Sequence, residues 1–200
     1  MTILLHSLTV SGHGHRVELL LRILKLPFEL VQAGAEVRAT PAFLALNPLG
    51  QIPVLQDGDV TLADSTAIMV YLAKRYGQGT GWLPEDPLGA AAVQRWLSLA
   101  SGEIAHGPAR ARAINLFKAP YDLAAAQAIA ARLLGFMETH LDGRDYLAAA
   151  HATIADLACY AYIARAPEGG IGLAPYPAVR AWLQRVEALP DFVSISESLP

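Results

Sequence analysis

The stretch ILLHSLTVSGHGHRVELLLRILK (Ile3–Lys25) leaves the start of the chain few ways to fold. An apolar run, Ile3-Leu4-Leu5, enters a loop rich in Ser and Gly. The loop feeds Val17, Leu20, Leu21 and Leu24 at helical spacing. The pattern predicts a strand over Ile3–Ser7, a loop from Ser11 to about His15, and a helix over Arg16–Lys25 that Pro27 ends. Phe28–Gln32 alternates as a second strand. Two strands joined by one helix of this length lie parallel, with a right-handed crossover. The junction around Ser11 is a helix start, where unpaired N–H groups and a partial positive charge can hold an anion.

Downstream, Gly34–Thr40 reads as a loop. Pro41–Leu46 reads as one or two helical turns with Thr40 as cap and Pro41 at the first helical position. Asn47-Pro48-Leu49-Gly50 is turn chemistry. Asp57-Gly58, between Val54-Leu55-Gln56 and Asp59–Leu62, signals a tight hairpin, entered through Pro53. Asp64 or Ser65 then caps a helix carrying Ala67, Ile68, Tyr71 and Leu72. The order to residue 76 is therefore βαβ followed by ββα.

Gly77–Pro87 is rich in Gly and Pro, has no periodicity and reads as a linker. Beyond it strand signals stop. Leu88–Leu116 is a long helical stretch that Gly107-Pro108 should bend or break. Further helices are expected over Tyr121–Leu141, Thr153–Arg165 and Pro177–Leu189. The third is apolar on most faces and opens on Thr153-Ile154-Ala155-Asp156, a capping-box pattern with Asp as its acid. The expected organisation is an α/β domain over 1–76, a linker over 77–87 and an all-α domain over 88–200.

Composition excludes several classes. Hydrophobic residues make up 54% and charged residues 16% of 200, which is enough apolar material for a core. No apolar run reaches the 18 residues a membrane span needs. The first residues lack a secretory pattern, and a single cysteine, Cys159, forms no internal disulfide and fits a reducing compartment. A cytoplasmic protein is the expectation. The net charge of −3 offers nothing to nucleic acid.

Three further stretches, in this order and spacing, carry a resemblance that spans nearly the whole chain: NPLGQIPVL (Asn47–Leu55), LADSTAIMVYLAKRY (Leu62–Tyr76) and TIADLACY (Thr153–Tyr160). With SGHGHRVELLL (Ser11–Leu21) matching more loosely, the chain resembles the cytosolic glutathione transferase family. The resemblance implies a thioredoxin-like N-terminal domain that binds glutathione, a helical second domain, and a homodimer. It also implies site residues. Pro53 is similar to the family's cis-proline, and Ile52 before it would offer its backbone N–H and C=O to the cysteinyl part of glutathione. Gln51 would reach a glycyl or γ-glutamyl group. Ser65 and the helix-start N–H groups would take the γ-glutamyl carboxylate, while Asp64 meets the ammonium. On local sequence alone, Asp64 and Ser65 are helix caps, Ile52-Pro53 a strand entry, and Thr153 with Asp156 a capping pair.

Ser11 has two readings: a cap or turn residue, and a hydroxyl donor to the glutathione sulfur. A free thiol ionises near pH ~8.5, so a hydrogen bond and the field of a helix start would raise its thiolate fraction. Family members use Tyr, Ser or Cys for this. The first tyrosine here is Tyr71 and the only cysteine Cys159, which disfavours the tyrosine and cysteine types. Thr9 is the rival hydroxyl. His13 and His15 flank the site; an H-x-H pair without further ligands is a poor metal signal, so no metal is expected. The electrophile is expected between the domains, with His13, His106, Arg110 and Phe117 as lining candidates. As a surface charge, Arg110, like Arg112, would line nothing. Trp96, Trp182 and Cys159 read as core.

The expected function is conjugation of glutathione, as co-substrate, to a small electrophile. The alternatives are another glutathione-dependent reaction (peroxide reduction, isomerisation, dehalogenation) and a non-catalytic binding or interaction module. No resident cofactor is implied.

Overall fold

A computed structural model describes residues 2–195, so Met1 and residues 196–200, the outermost parts of the two expected domains, lie outside it. The described chain forms two compact units. One comprises residues 2–80 and 190–195, the other residues 81–189.

The first unit is built on a four-stranded sheet in the order β2-β1-β3-β4. The strands are β1 (Ile3–Ser7), β2 (Phe28–Gln32), β3 (Val54–Asp57) and β4 (Val60–Ala63). β1 and β2 are parallel across α1 (Gly12–Ile23), as the strand–helix–strand pattern requires. β3 runs antiparallel to β1 and β4 antiparallel to β3. The β3–β4 turn places Gly58 at φ +60°, which a residue with a side chain adopts only at a cost. The βαβ-ββα order is completed by α4 (Ser65–Tyr76). Between β2 and β3 lie two short helices, α2 (Ala35–Arg38) and α3 (Pro41–Leu46). α3 starts where expected, because the Thr40 hydroxyl accepts from the Phe43 N–H at 3.3 Å. α2 falls where the sequence reads as a loop; it buries no residue, so no apolar period marks it.

α1 begins a full turn earlier than its apolar period. The helix opens at Gly12, not Arg16, because the Ser11 side chain caps it by accepting from the Gly14 N–H. Its inner face (Val17, Leu20, Leu21) is fully buried with Leu5, Leu55, Ile68 and Leu72 of the same unit.

The second unit is helical: α5 (Pro87–Ser101), α6 (Arg110–Phe117), α7 (Leu123–His140), α8 (Ile154–Ala164) and α9 (Pro177–Glu187). The long stretch expected from Leu88 is interrupted twice. α5 ends with Gly102 as cap, and Ala105–Ala109 winds as a π-helical turn with Pro108 inside it. The wider turn accommodates a residue that has no N–H to give. α8 is the centre of this unit, with every residue from Ile154 to Ile163 buried. Its capping box forms in full: Thr153 accepts from the Ala155 N–H, and Asp156 from the Thr153 N–H at 2.8 Å. Trp96 and Trp182 are core residues, and the Cys159 thiol donates to the Trp96 carbonyl. No helix among the described residues is long and apolar enough to cross a membrane.

Candidate functional site

Strand register gathers the site. His6 of β1 pairs with Val54 of β3, and Val54 pairs in turn with Ala63 of β4. Ser7 pairs with Gln32 of β2. Four connections therefore leave the same end of the sheet: 8–11 after β1, 33–34 after β2, 50–53 before β3, and Asp64 after β4.

The loop after β1 ends on Ser11. Its hydroxyl oxygen accepts from Gly14 N–H at 3.2 Å, and its carbonyl accepts from His15 N–H at 2.8 Å. An oxygen that accepts from the helix start still has its own proton to donate, so Ser11 can serve as cap and donor together. Thr9 lies in the preceding turn and is exposed.

Before β3, Asn47 organises the turn. Its Nδ2 donates to the Gln51 carbonyl at 2.9 Å, its Oδ1 accepts from Leu49 N–H, and its own carbonyl accepts from Gly50 N–H. Gln51 is left exposed, and the Ile52-Pro53 bond is cis. Ile52 packs on Ala33, Phe43 and Val54. Sequence reasoning missed Arg38 of α2. Its Nη1 donates to the Gly50 carbonyl at 3.4 Å, and its Nε is buried without a partner beside this turn.

After β4, Asp64 caps α4 with φ +72°, a left-handed value that costs a non-glycine residue about 1–3 kcal/mol. Its Oδ1 accepts from Thr66 N–H, Ala67 N–H and the Thr66 hydroxyl, and Oδ2 takes no part in these bonds. Burial pushes the carboxyl up. The Thr66 hydroxyl, the two N–H groups and the Arg16 charge outweigh it and hold Asp64 below the usual carboxylate range. Ser65 is buried and accepts from Arg16 Nη1 at 3.3 Å.

Arg16 is the second residue the sequence reading missed. It lies on α1, fully buried, and couples electrostatically to both Asp64 and His13. Its signal was faint: a charge one position before the apolar stripe, two turns short of the helix end. His13 stands with this group. Burial and then Arg16 lower its pKa to about 3 against the opposing pull of Asp64, so its imidazole is neutral at physiological pH. Ser11, His13, Arg16, Asp64 and Ser65 thus form one cluster around two helix starts. A cavity of about 530 Å³ on this unit lies at the other end of α1, against Arg22, Lys25 and Phe28, and none of these residues lines it.

In the helical unit the expected lining residues have separate surroundings. His106 sits in the π-helical turn and lines a cavity of about 140 Å³ with Gly102, Glu103, Ile129 and Arg132. Arg110 stacks on the Tyr121 ring at 4.8 Å. Phe117 is 56% exposed, with Arg112 6.0 Å from its ring. Arg112 is no surface charge: it is buried and paired with Glu168. Among the described residues no group of three or more His, Cys, Asp or Glu is placed to hold a metal ion.

Residues 10–75 match the glutathione S-transferase N-terminal domain and residues 104–190 the glutathione S-transferase C-terminal domain. Glutathione S-transferase 3 of Zea mays is 35% identical over 212 residues, spanning 98% of this chain and 94% of its own. The crystal structure of a glutathione S-transferase from Pseudomonas fluorescens shares 32% identity at a TM-score of 0.92, covering 98% of this chain and 100% of that one. A glutathione transferase homolog from Drosophila mojavensis, solved with bound glutathione, is 27% identical at a TM-score of 0.83, covering 94% of this chain and 89% of that one.

Proposed function

Because the chain belongs to the cytosolic glutathione transferase family, we propose that it binds glutathione at this end of the sheet, holds the sulfur as a thiolate with the Ser11 hydroxyl, and conjugates it to a small electrophile. The observation that carries the assignment is the Ser11 cap. Its oxygen is fixed by Gly14 N–H at the start of a twelve-residue helix, with its proton available for the sulfur. Among the described residues Thr9 has no such anchor in the turn before it, which favours Ser11.

The rest of the cluster supplies the handle. Asp64 Oδ2 takes the γ-glutamyl ammonium, its other oxygen being occupied by the cap bonds. The Ser65 hydroxyl and the Ser65 backbone N–H take the γ-glutamyl carboxylate, since the N–H groups of Thr66 and Ala67 are spent on the Asp64 cap, with the Arg16 charge behind them. Ile52 offers its backbone to the cysteinyl segment. Gln51 and Arg38 take the glycyl end, Arg38 through a guanidinium whose Nε lacks a partner. The thiol proton leaves to solvent, the thiolate attacks an electrophilic carbon, and the leaving group departs with its electron pair. Ionisation and placement are the whole of the catalysis, with no covalent enzyme intermediate. His13, His106, Arg110 and Phe117 are the candidates for recognising the electrophile. A homodimer in the cytoplasm is the assembly and setting proposed on family grounds, and light scattering tests the dimer.

Thiolate absorbance of glutathione in saturated protein, followed against pH, tests the reading. The expected result is a thiol pKa below the free value of roughly 8.5, restored by Ser11→Ala and not by Thr9→Ala. An unshifted thiol in the unaltered protein overturns the catalytic reading and leaves a binding module. Peroxidase, isomerase and dehalogenase activities would use the same thiolate. A turnover screen over aryl halides, isothiocyanates, hydroperoxides and mixed disulfides separates them.

A further inference from the structure

The first turn of α1 carries the proposed thiolate donor, yet it is built from poor material. Gly12 and Gly14 are among the worst helix formers, and the first turn of any helix has fewer internal bonds than its middle. A better helix former at Gly14 would bring a clash, since a Cβ there would stand 1.7 Å from the Ser7 hydroxyl oxygen. Something outside the turn has to hold it.

His15 does so. It is 4% exposed, and its backbone N–H donates to the Ser11 carbonyl at 2.8 Å. Its imidazole Nε2 lies 2.8 Å from the carbonyl of Val193, 178 residues further along the chain. A carbonyl only accepts, so Nε2 carries the proton and donates. Val193 belongs to the segment that leaves the helical unit after α9 and packs into the first unit, where Ile195 is 2% exposed. One side chain thus joins the residue next to the cap bond with the far end of the described chain.

We infer that residues 190–195 act as a strap on the glutathione site, and that His15 is a positioning residue for the transferase reaction. The strap fixes the first turn of α1, and with it the direction of the Ser11 hydroxyl. His15 touches neither sulfur nor electrophile; it acts through Ser11. The inference rests on the Ser11 reading above for its effect on turnover, though not for the strap itself.

The test uses five full-length variants: His15→Phe, His15→Gln, Ile195→Asp, the double variant His15→Phe with Ile195→Asp, and Ser11→Ala. His15→Phe keeps the ring and removes the donor. His15→Gln keeps an N–H donor on a side chain of similar reach. Ile195→Asp places a charge at the buried end of the strap and leaves the sequence of α1 unchanged. Two readouts are taken: hydrogen exchange of the Gly12–His15 amides, and the thiol pKa of bound glutathione with kcat and KM. His15→Phe and Ile195→Asp are each expected to speed exchange in this turn, raise the thiol pKa and lower kcat roughly three- to tenfold, with a smaller change in KM for glutathione. His15→Gln restores most of both readouts. The double variant is no worse than either single one, because both remove the same constraint.

Unchanged exchange of Gly12–His15 in His15→Phe and Ile195→Asp overturns the strap. Faster exchange with unchanged thiol pKa and kcat overturns the positioning role. Ser11→Ala separates this from failure of the Ser11 reading: if Ser11→Ala leaves the thiol pKa unmoved, that reading fails by itself, while the exchange result still decides the strap.

Discussion

Arg16 donates from Nη1 to the Ser65 hydroxyl across 3.3 Å, and the bond ties the N-terminal part of α1 to the start of α4. The guanidinium is fully buried, so its charge acts at close range with little screening. It helps hold Asp64 ionised and His13 neutral. The two helix starts that the proposed site uses for the two ends of its ligand are therefore coupled through one side chain.

Arg16→Met keeps the stem and removes the charge. It should cost roughly 1.5–3 kcal/mol, the range of a hydrogen bond to a charged group. It should also raise the KM for glutathione about tenfold, with a smaller fall in kcat, because it disturbs the γ-glutamyl end and not the sulfur. Urea denaturation and initial rates measure the two effects. Lower stability with an unchanged KM would leave Arg16 as a strut between helices and nothing more.

Gly14→Ala sets two rules against each other. Alanine is better in a helix by about 1 kcal/mol, yet its Cβ would overlap the Ser7 hydroxyl, 1.7 Å away, and crowd the Ser7 Cβ at 2.8 Å. Ser7 is 1% exposed at the end of β1 and has little room to move. Overpacking should win, with a net loss of roughly 1–3 kcal/mol. Ser7→Gly in the same chain should recover most of it. A denaturation double-mutant cycle reads the coupling, and additive effects would mean that the contact does not control this turn.

The sheet, the hairpin and the α4 cap were legible because their signals are local. Alternation in Phe28–Gln32, Asp57-Gly58 between two short apolar runs, and Asp64 before an apolar period each need only neighbouring residues. The start of α1 was not legible. Gly12–His15 has no apolar period, and its helical state depends on the Ser11 cap and on close approach to Ser7. Arg16 and Arg38 were missed for a related reason. Their partners, Ser65 and Gly50, are 49 and 12 positions away, and a charge gives no sequence sign that it will be buried. In the helical unit, the π turn at Ala105–Ala109 shifts the register between His106 and α6, so helical spacing did not establish a shared face for His106, Arg110 and Phe117.

Asp57 gives a pH test on the first unit. Its carboxylate accepts from the hydroxyls of Tyr71 at 2.8 Å and Tyr76 at 2.6 Å, with Arg75 3.6 Å away. Burial pushes the carboxyl up, but the hydrogen bonds from Tyr76 and Tyr71 and the Arg75 charge prevail and lower it. A folded-state value below the unfolded one contributes stability above the unfolded pKa, and this is lost as pH falls through the folded pKa. The stability difference between the protein and Asp57→Asn should therefore be full at neutral pH and shrink below about pH 4. Tyr71 gives the opposite flank. It is raised to about 12 by burial and then by Asp57, so its contribution is present below the unfolded value and fades as pH rises from about 10 to 12. Urea midpoints of the protein, Asp57→Asn and Tyr71→Phe across pH measure both, and parallel curves would refute the linkage.

Asp156 is the buried acid of the helical unit, fully inaccessible, and both of its oxygens are spent. Oδ1 accepts from Leu147 N–H and Trp182 Nε1–H, each at 2.9 Å. Oδ2 accepts from Thr153 N–H at 2.8 Å and from the Thr153 hydroxyl at 3.2 Å. The residue therefore pins the loop before α8, the start of α8 and the indole of α9 to one point. Asp156→Asn is nearly isosteric and would be mild if shape alone mattered. It should not be mild. An amide has one oxygen, so its NH₂ faces either the Leu147 and Trp182 N–H groups or the Thr153 N–H, and in each orientation at least one buried N–H loses its acceptor, the Thr153 hydroxyl alone being able to turn and accept. Leaving buried N–H groups unpaired costs about 1–3 kcal/mol apiece, and we expect Asp156→Asn to lose roughly 3 kcal/mol and Asp156→Ala at least as much. Thr153→Ala should cost less, about 1 kcal/mol for the lost cap, because Asp156 keeps the other three bonds. Denaturation of the three variants checks the order. If Asp156→Asn proved the mildest, the hydrogen-bond count would not be what holds this junction.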